Sequence, residues 1–386
     1  MKKLLVLIAS SIVLSACLPE PNSDPVGPVS LAVAAATPGY SASDVILINP
    51  DPAGDEVIEQ RIHTTNPSDI GIAFSANQLF RLERSNSDSI SKIGTNSGGV
   101  SIDWQRSVLG DDASANPYDL LALSTSVAYV ARFDSNDLWV INPSASTGED
   151  VLIEKIDLSA FANADSGNPR MADLEWVDGK LFVLLTGLED NWRAAANSKV
   201  VVIDTSNNSL VDTNTVIAGV QAIELPVRNA KEFALHNGVL YVAATGDAYN
   251  SDTSLIYTGG IATLNATSYA TALLIDDGDL SAAPYGNITG VTVSANNDVY
   301  FSGSHNDGVD KLFVQRAGAS AISEIDLGAN SYNIGDLLAT DDALYVGVQA
   351  QSDGSENAGL KVIDLDDGTV NRLIELTYNP TQILAL

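Results

Sequence analysis

The chain has 386 residues, with 49 acidic against 19 basic side chains, a formal charge of −30 and a single cysteine, Cys17. That acidity excludes nucleic acid and anionic membrane surfaces as partners held by charge. One cysteine excludes a disulfide framework, so stability must come from a core to which apolar residues, 45% of the sequence, contribute.

At the N-terminus, Met1-Lys2-Lys3 and the apolar run from Leu4 to Val13 read as a secretory signal, too short to span a membrane as a mature helix. The run ends in Leu14-Ser15-Ala16-Cys17, which resembles the bacterial lipobox. The resemblance implies that residues 1–16 are removed and that Cys17 is acylated, and two or more chains on one residue anchor stably. Leu18, rather than Asp, follows the cysteine; by the same sorting rule this implies the outer membrane, with either face open. Residues 17–28, the lipidated cysteine and a tether, contain Pro19, Pro21, Pro25 and Pro28 and should be extended. Residues 29–386 remain as one folded unit.

That unit begins with three strand candidates, at residues 29–34, 45–49 and 57–63. A repeat follows, opening at Asn66, Asn116, Arg170, Asn229, Asn287, Asn333 and Asn379, at intervals of 50, 54, 59, 58, 46 and 46 residues. Three residues after each opening stand Asp69, Asp119, Asp173, Glu232, Gly290, Asp336 and Gln382, followed by apolar residues at period 2. Second strands centre on Leu79-Phe80, Ala128-Tyr-Val130, Leu181-Phe-Val183, Leu240-Tyr-Val242, Val299-Tyr-Phe301 and Leu344-Tyr-Val346. Turn pairs such as Asp178-Gly179 and Asn237-Gly238 join them to the first strands. Third and fourth strands complete each copy. Four antiparallel strands every 45–60 residues, without a long helix, predict the blades of a β-propeller.

The last copy stops after its first strand, while three unassigned strands lie at the other end of the chain. One plus three makes a seventh blade, which closes the ring and leaves no open sheet edge in it. The expected class is therefore all-β, a seven-bladed propeller of four-stranded antiparallel blades, monomeric. Asn116-Pro-Tyr-Asp-Leu-Leu-Ala-Leu123, Ala128-Tyr-Val-Ala131 and Leu138-Trp-Val-Ile-Asn142 resemble the YVTN-type bacterial propeller repeats. That resemblance implies architecture, because propellers host enzymes, receptors and scaffolds alike.

Two places could carry function. The loops between second and third strands share a face with those between blades, and they are the long ones. They carry Tyr118, Arg170, Trp192, Arg193, Tyr249, Tyr257 and Tyr332, candidates for contacting a small molecule or an envelope protein. The second place is the central channel. There Asp69, Asp119, Asp173, Glu232 and Asp336 should repeat at one level, either accepting backbone N–H groups or offering oxygens to Ca²⁺. Propeller lactonases and related hydrolases hold a catalytic Ca²⁺ in their channels, and this chain is similar to them in residue type alone. The three histidines, His63, His236 and His305, lie on separate elements and lack metal-ligand spacing. No nucleophile elbow or phosphate loop occurs. The expected function is a lipid-anchored, non-enzymatic binding protein without a cofactor; the alternative is a Ca²⁺-dependent hydrolase of lactones or esters.

Overall fold

The computed structural model describes residues 30–50, 60–61, 68–96, 99–146, 148, 150–194, 196–247, 256–305, 308–328, 333–351 and 354–386. Its strands form seven antiparallel sheets, six of four strands and one of five, arranged as a seven-bladed β-propeller. Among the described residues the only helical segment is a 3-10 turn, Ser159–Phe161. No helix among them is long and apolar enough to cross a membrane.

Blade 1 is the expected composite: Asn379–Ala385, Leu31–Ala36, Ser43–Ile48 and Gln60–Arg61. Leu31 pairs with Ala385 and Ala36 with Asn379, so the two ends of the chain share one sheet. The first strands of blades 2–7 are Ile70–Ser75, Pro117–Ser124, Met171–Val177, Ala230–His236, Asn287–Val293 and Ile334–Ala339. They lie side by side around the axis. Blade 4 departs from the pattern at its outer edge, where Ser209–Leu210 and Ile223–Glu224 pair with opposite ends of Lys199–Asp204.

The hairpins form as their turn residues dictate. Ala76 and Asn77, Asp178 and Gly179, and Asn237 and Gly238 all take positive φ, the type I′ geometry that matches strand twist. Period-2 alternation then gives each second strand two buried faces. In Lys180–Leu185, Leu181 and Val183 pack toward blade 3, whereas Phe182 and Leu184 pack toward blade 5. Seven apolar wedges result, one between each pair of neighbouring blades. At roughly 1.5–3 kcal/mol per fully buried aliphatic or aromatic side chain, these wedges dominate stability.

Candidate functional site

Blades 3, 4 and 5 enter the channel through the opening residues of their repeats. Asn116, Arg170 and Asn229 take left-handed φ values of 50°, 57° and 54° there. Asparagine tolerates that region better than most non-glycine residues, a local reason for its presence at 116 and 229. Its amide also ties loops together: Asn116 Nδ2 donates to Asp134, and Asn229 Nδ2 donates to Thr245 and to the Gly246 carbonyl.

Arg170 is the exception in the series, and its side chain, 9% exposed, reaches further. Its guanidinium donates to Asp134 in the loop after the second strand of blade 3 and to Asp190 in the equivalent loop of blade 4. It also lies 5.1 Å from the centroid of Phe133. Phe133 stacks on Tyr118 at 4.3 Å and, on a longer 6.3 Å spacing, runs nearly parallel to Trp192. Arg84 completes the column 4.4 Å from the Tyr118 ring, with Asp69 3.8 Å from its guanidinium. Burial raises the pKa of the Tyr118 phenol, so the ring stays neutral.

The turn that presents Trp192 is built by Glu189, whose carbonyl accepts the Trp192 N–H at 3.0 Å, and by Asn191, which accepts the Arg193 N–H at 2.9 Å. Trp192 sits at φ 63°, unfavourable for so bulky a residue, and its side chain is 54% exposed, against 1% for Phe133. Of the sequence candidates, Tyr118, Arg170 and Trp192 therefore come together. Arg193 is directed away, onto the buried Asp247 at 3.3 Å. Tyr257 is half-buried in another loop. Tyr249, Tyr332, Cys17, His63 and Asn66 lie outside the described residues.

Arg84, Phe133, Asp134 and Asp190 are members that motif reading missed. Arg84 and Phe133 each follow a second strand, and their N–H groups bond back to Asp69 and Asn116, as Thr186 bonds to Arg170 and Thr245 to Asn229. An arginine and a phenylalanine where the following two blades have threonine was the available signal.

The channel acids have a defined structural role. Asp119 accepts the Leu174 N–H of the next blade at 3.0 Å, Asp173 that of Phe233 at 2.5 Å, Glu232 that of Val291 at 2.9 Å, and Asp336 that of Ile383 at 2.7 Å. Gln382 closes the ring onto Ile72 at 2.8 Å. Strand register corrects one expectation. Gly71 pairs with Leu82 as Asp173 pairs with Leu184, so the acid position of blade 2 is Gly71, and Asp69 stands at the blade entrance. Blades 2 and 6, with Gly71 and Gly290, use hydroxyls instead: Ser75 accepts from Ala122 at 2.7 Å and Thr292 from Ala339 at 3.1 Å. Every blade interface thus carries at least one side-chain-to-backbone bond between first strands.

Burial raises the pKa of Asp119 and Glu232, and with neighbouring charge it holds Asp173 and Asp336 well above the carboxylate range. Asp119 and Asp173 lie close enough to interact, and the charge of Asp119 adds to burial in raising Asp173. Glu175, two residues along the same strand from Asp173, is pushed up to about 7 by burial. Among the described residues no three His, Cys, Asp or Glu side chains converge closely enough to hold a metal ion.

No family model and no curated protein matches the chain. Solved structures do. A candidate 6-phosphogluconolactonase from Bacteroides fragilis superposes with a TM-score of 0.60 at 12% identity, over 95% of this chain and 99% of that one. Virginiamycin B lyase from Staphylococcus aureus gives a TM-score of 0.53 at 12% identity, over 82% and 91%. A streptogramin B lyase gives 0.53 at 11% identity, over 82% and 89%. At such identities the likeness is one of fold, and it places the chain among the β-propellers.

Proposed function

We propose that this chain is a non-enzymatic binding protein that captures a ligand or partner at the mouth built around Trp192. The observation that carries the proposal is Arg170. Six of the seven repeat openings are asparagine, and the exception joins two loops beneath a column of stacked rings that ends in an exposed indole. Arg170 keeps the left-handed backbone of Asn116 and Asn229 but replaces their short amide with a side chain that spans two blades, which supports a role beyond the repeat. The channel acids, by contrast, are engaged with backbone N–H groups, which supports an architectural role for them. The YVTN-like repeat and the lipobox-like segment ending at Cys17 support a propeller tethered to the outer membrane by an acylated N-terminus.

The test compares immobilised wild-type protein with Trp192→Ala after incubation with an envelope extract. Species retained by the wild type and lost by the variant, at equal melting temperature, support the reading. Identical retention profiles count against it. Labelling with a palmitate analogue, lost on Cys17→Ser, checks the anchor.

A further inference from the structure

Resting on that capture reading, we infer that the Trp192 mouth takes an uncharged polyhydroxylated ligand, a saccharide, rather than an organic cation or anion. Three features of the site select that class. First, the indole of Trp192 is half-exposed, with its inner side set against Phe133, so its outer side is a flat apolar platform of a pyranose ring's dimensions. The ring's C–H face packs on such a surface while its hydroxyls stay hydrogen-bonded at the edge.

Second, hydrogen-bonding capacity surrounds that platform. The Trp192 indole N–H donates to none of the described residues. Asp190 is 69% exposed and uses one carboxylate oxygen on Arg170, which leaves the other without a donor among them. A sugar hydroxyl both donates and accepts, so it can satisfy an N–H and a carboxylate oxygen side by side, as an ammonium group or a carboxylate cannot.

Third, the two arginines of the mouth are already paired. Arg170 is bridged between Asp134 and Asp190, and Arg84 lies beside Asp69. In a molecule of −30 overall, that pairing leaves neither Arg84 nor Arg170 free to compensate an anionic ligand. Selectivity then comes from direction and stacking rather than from net charge.

Titration calorimetry with maltose, cellobiose and N,N′-diacetylchitobiose tests this, with choline and glucuronate as charged comparators. At least one neutral disaccharide should bind saturably, with a Kd that shifts less than about twofold as NaCl is raised from about 50 to 500 mM. Trp192→Ala should weaken it by about tenfold or more, while Trp192→Tyr, which keeps a stacking face, should retain most of the affinity. Preferred binding of choline or glucuronate, steep weakening by salt, or no saccharide binding would each overturn the inference. A photo-crosslinker at position 196, exposed in the same loop, leaves Trp192 in place and separates the ligand class from the capture reading. If saccharides fail but residue 196 labels an envelope protein, the ligand class falls and the capture reading stands; if nothing is labelled either, both fall.

Discussion

Asp173 in blade 4 accepts the backbone N–H of Phe233 in blade 5 at 2.5 Å, although the two residues are 60 positions apart in sequence. Five interfaces use the acid position or its glutamine equivalent in this way, and the two with glycine there use a hydroxyl. The first strands are thereby fastened as a hoop inside the apolar wedges. Replacing Asp173 by alanine leaves the Phe233 N–H without its acceptor in a crowded channel, which costs about 1–3 kcal/mol. We expect Asp173→Ala to lower the melting temperature while Asp173→Asn, which keeps an acceptor oxygen, loses less. Equal loss in the two variants, measured by thermal denaturation, would show that the bond to the Phe233 N–H is not what Asp173 contributes.

The same burial sets a pH dependence opposite in sign to ordinary acid denaturation. Glu175 titrates near 7 in the folded chain, against about 4.3 for an unperturbed glutamate. Between those values the native state holds more protons than the unfolded state, so stability falls as pH rises. Asp119 on the neighbouring blade adds to the effect through its charge, as do the raised pKa values of Asp173, Glu232 and Asp336. The contribution is fully present below about pH 4 and is lost by about pH 7 for Glu175. The melting temperature should therefore be higher at about pH 5 than at about pH 8. The overall charge of −30 acts in the same direction, so the discriminating variant is Glu175→Gln, which should flatten the slope. A slope unchanged in that variant would assign the whole effect to net charge.

Calcium separates the binding reading from the channel hydrolase. Because Asp119, Asp173, Glu232 and Asp336 each accept a neighbouring blade's N–H, calcium at about 5 mM should raise the melting temperature no more than the same concentration of magnesium. A calcium-specific rise of several degrees, abolished by Asp336→Asn, would instead return the channel to consideration as a metal site.

Much of this molecule was legible from local pattern. Type I′ turns at Asp178-Gly179 and Asn237-Gly238, and paired apolar residues such as Leu181 and Phe182, are properties of a few consecutive residues. Their recurrence yields a blade count, and the unfinished copy at Asn379 leads to closure with Leu31–Ala36. The register of blade 2 was not legible in this way. Asp69 falls three residues after Asn66 as the other acids follow their openings, yet the hairpin from Ser75 to Gln78 places Gly71 at that level. A one- or two-residue shift at a strand entrance is invisible to a count of spacings, because only pairing with the second strand defines it.

The candidate site divides along the same line. Sequence alone determined the seven-bladed ring, the long-loop face and the presence on it of Tyr118, Arg170 and Trp192, because strand period, turn chemistry and repeat length are local and additive. Tertiary structure alone decided that Phe133 stacks near those three residues, that Arg193 turns away to Asp247, and that the recurrent acids bind the next blade. Those contacts join residues far apart in the chain, and their geometry exists only once the apolar wedges have set each blade's angle against its neighbour.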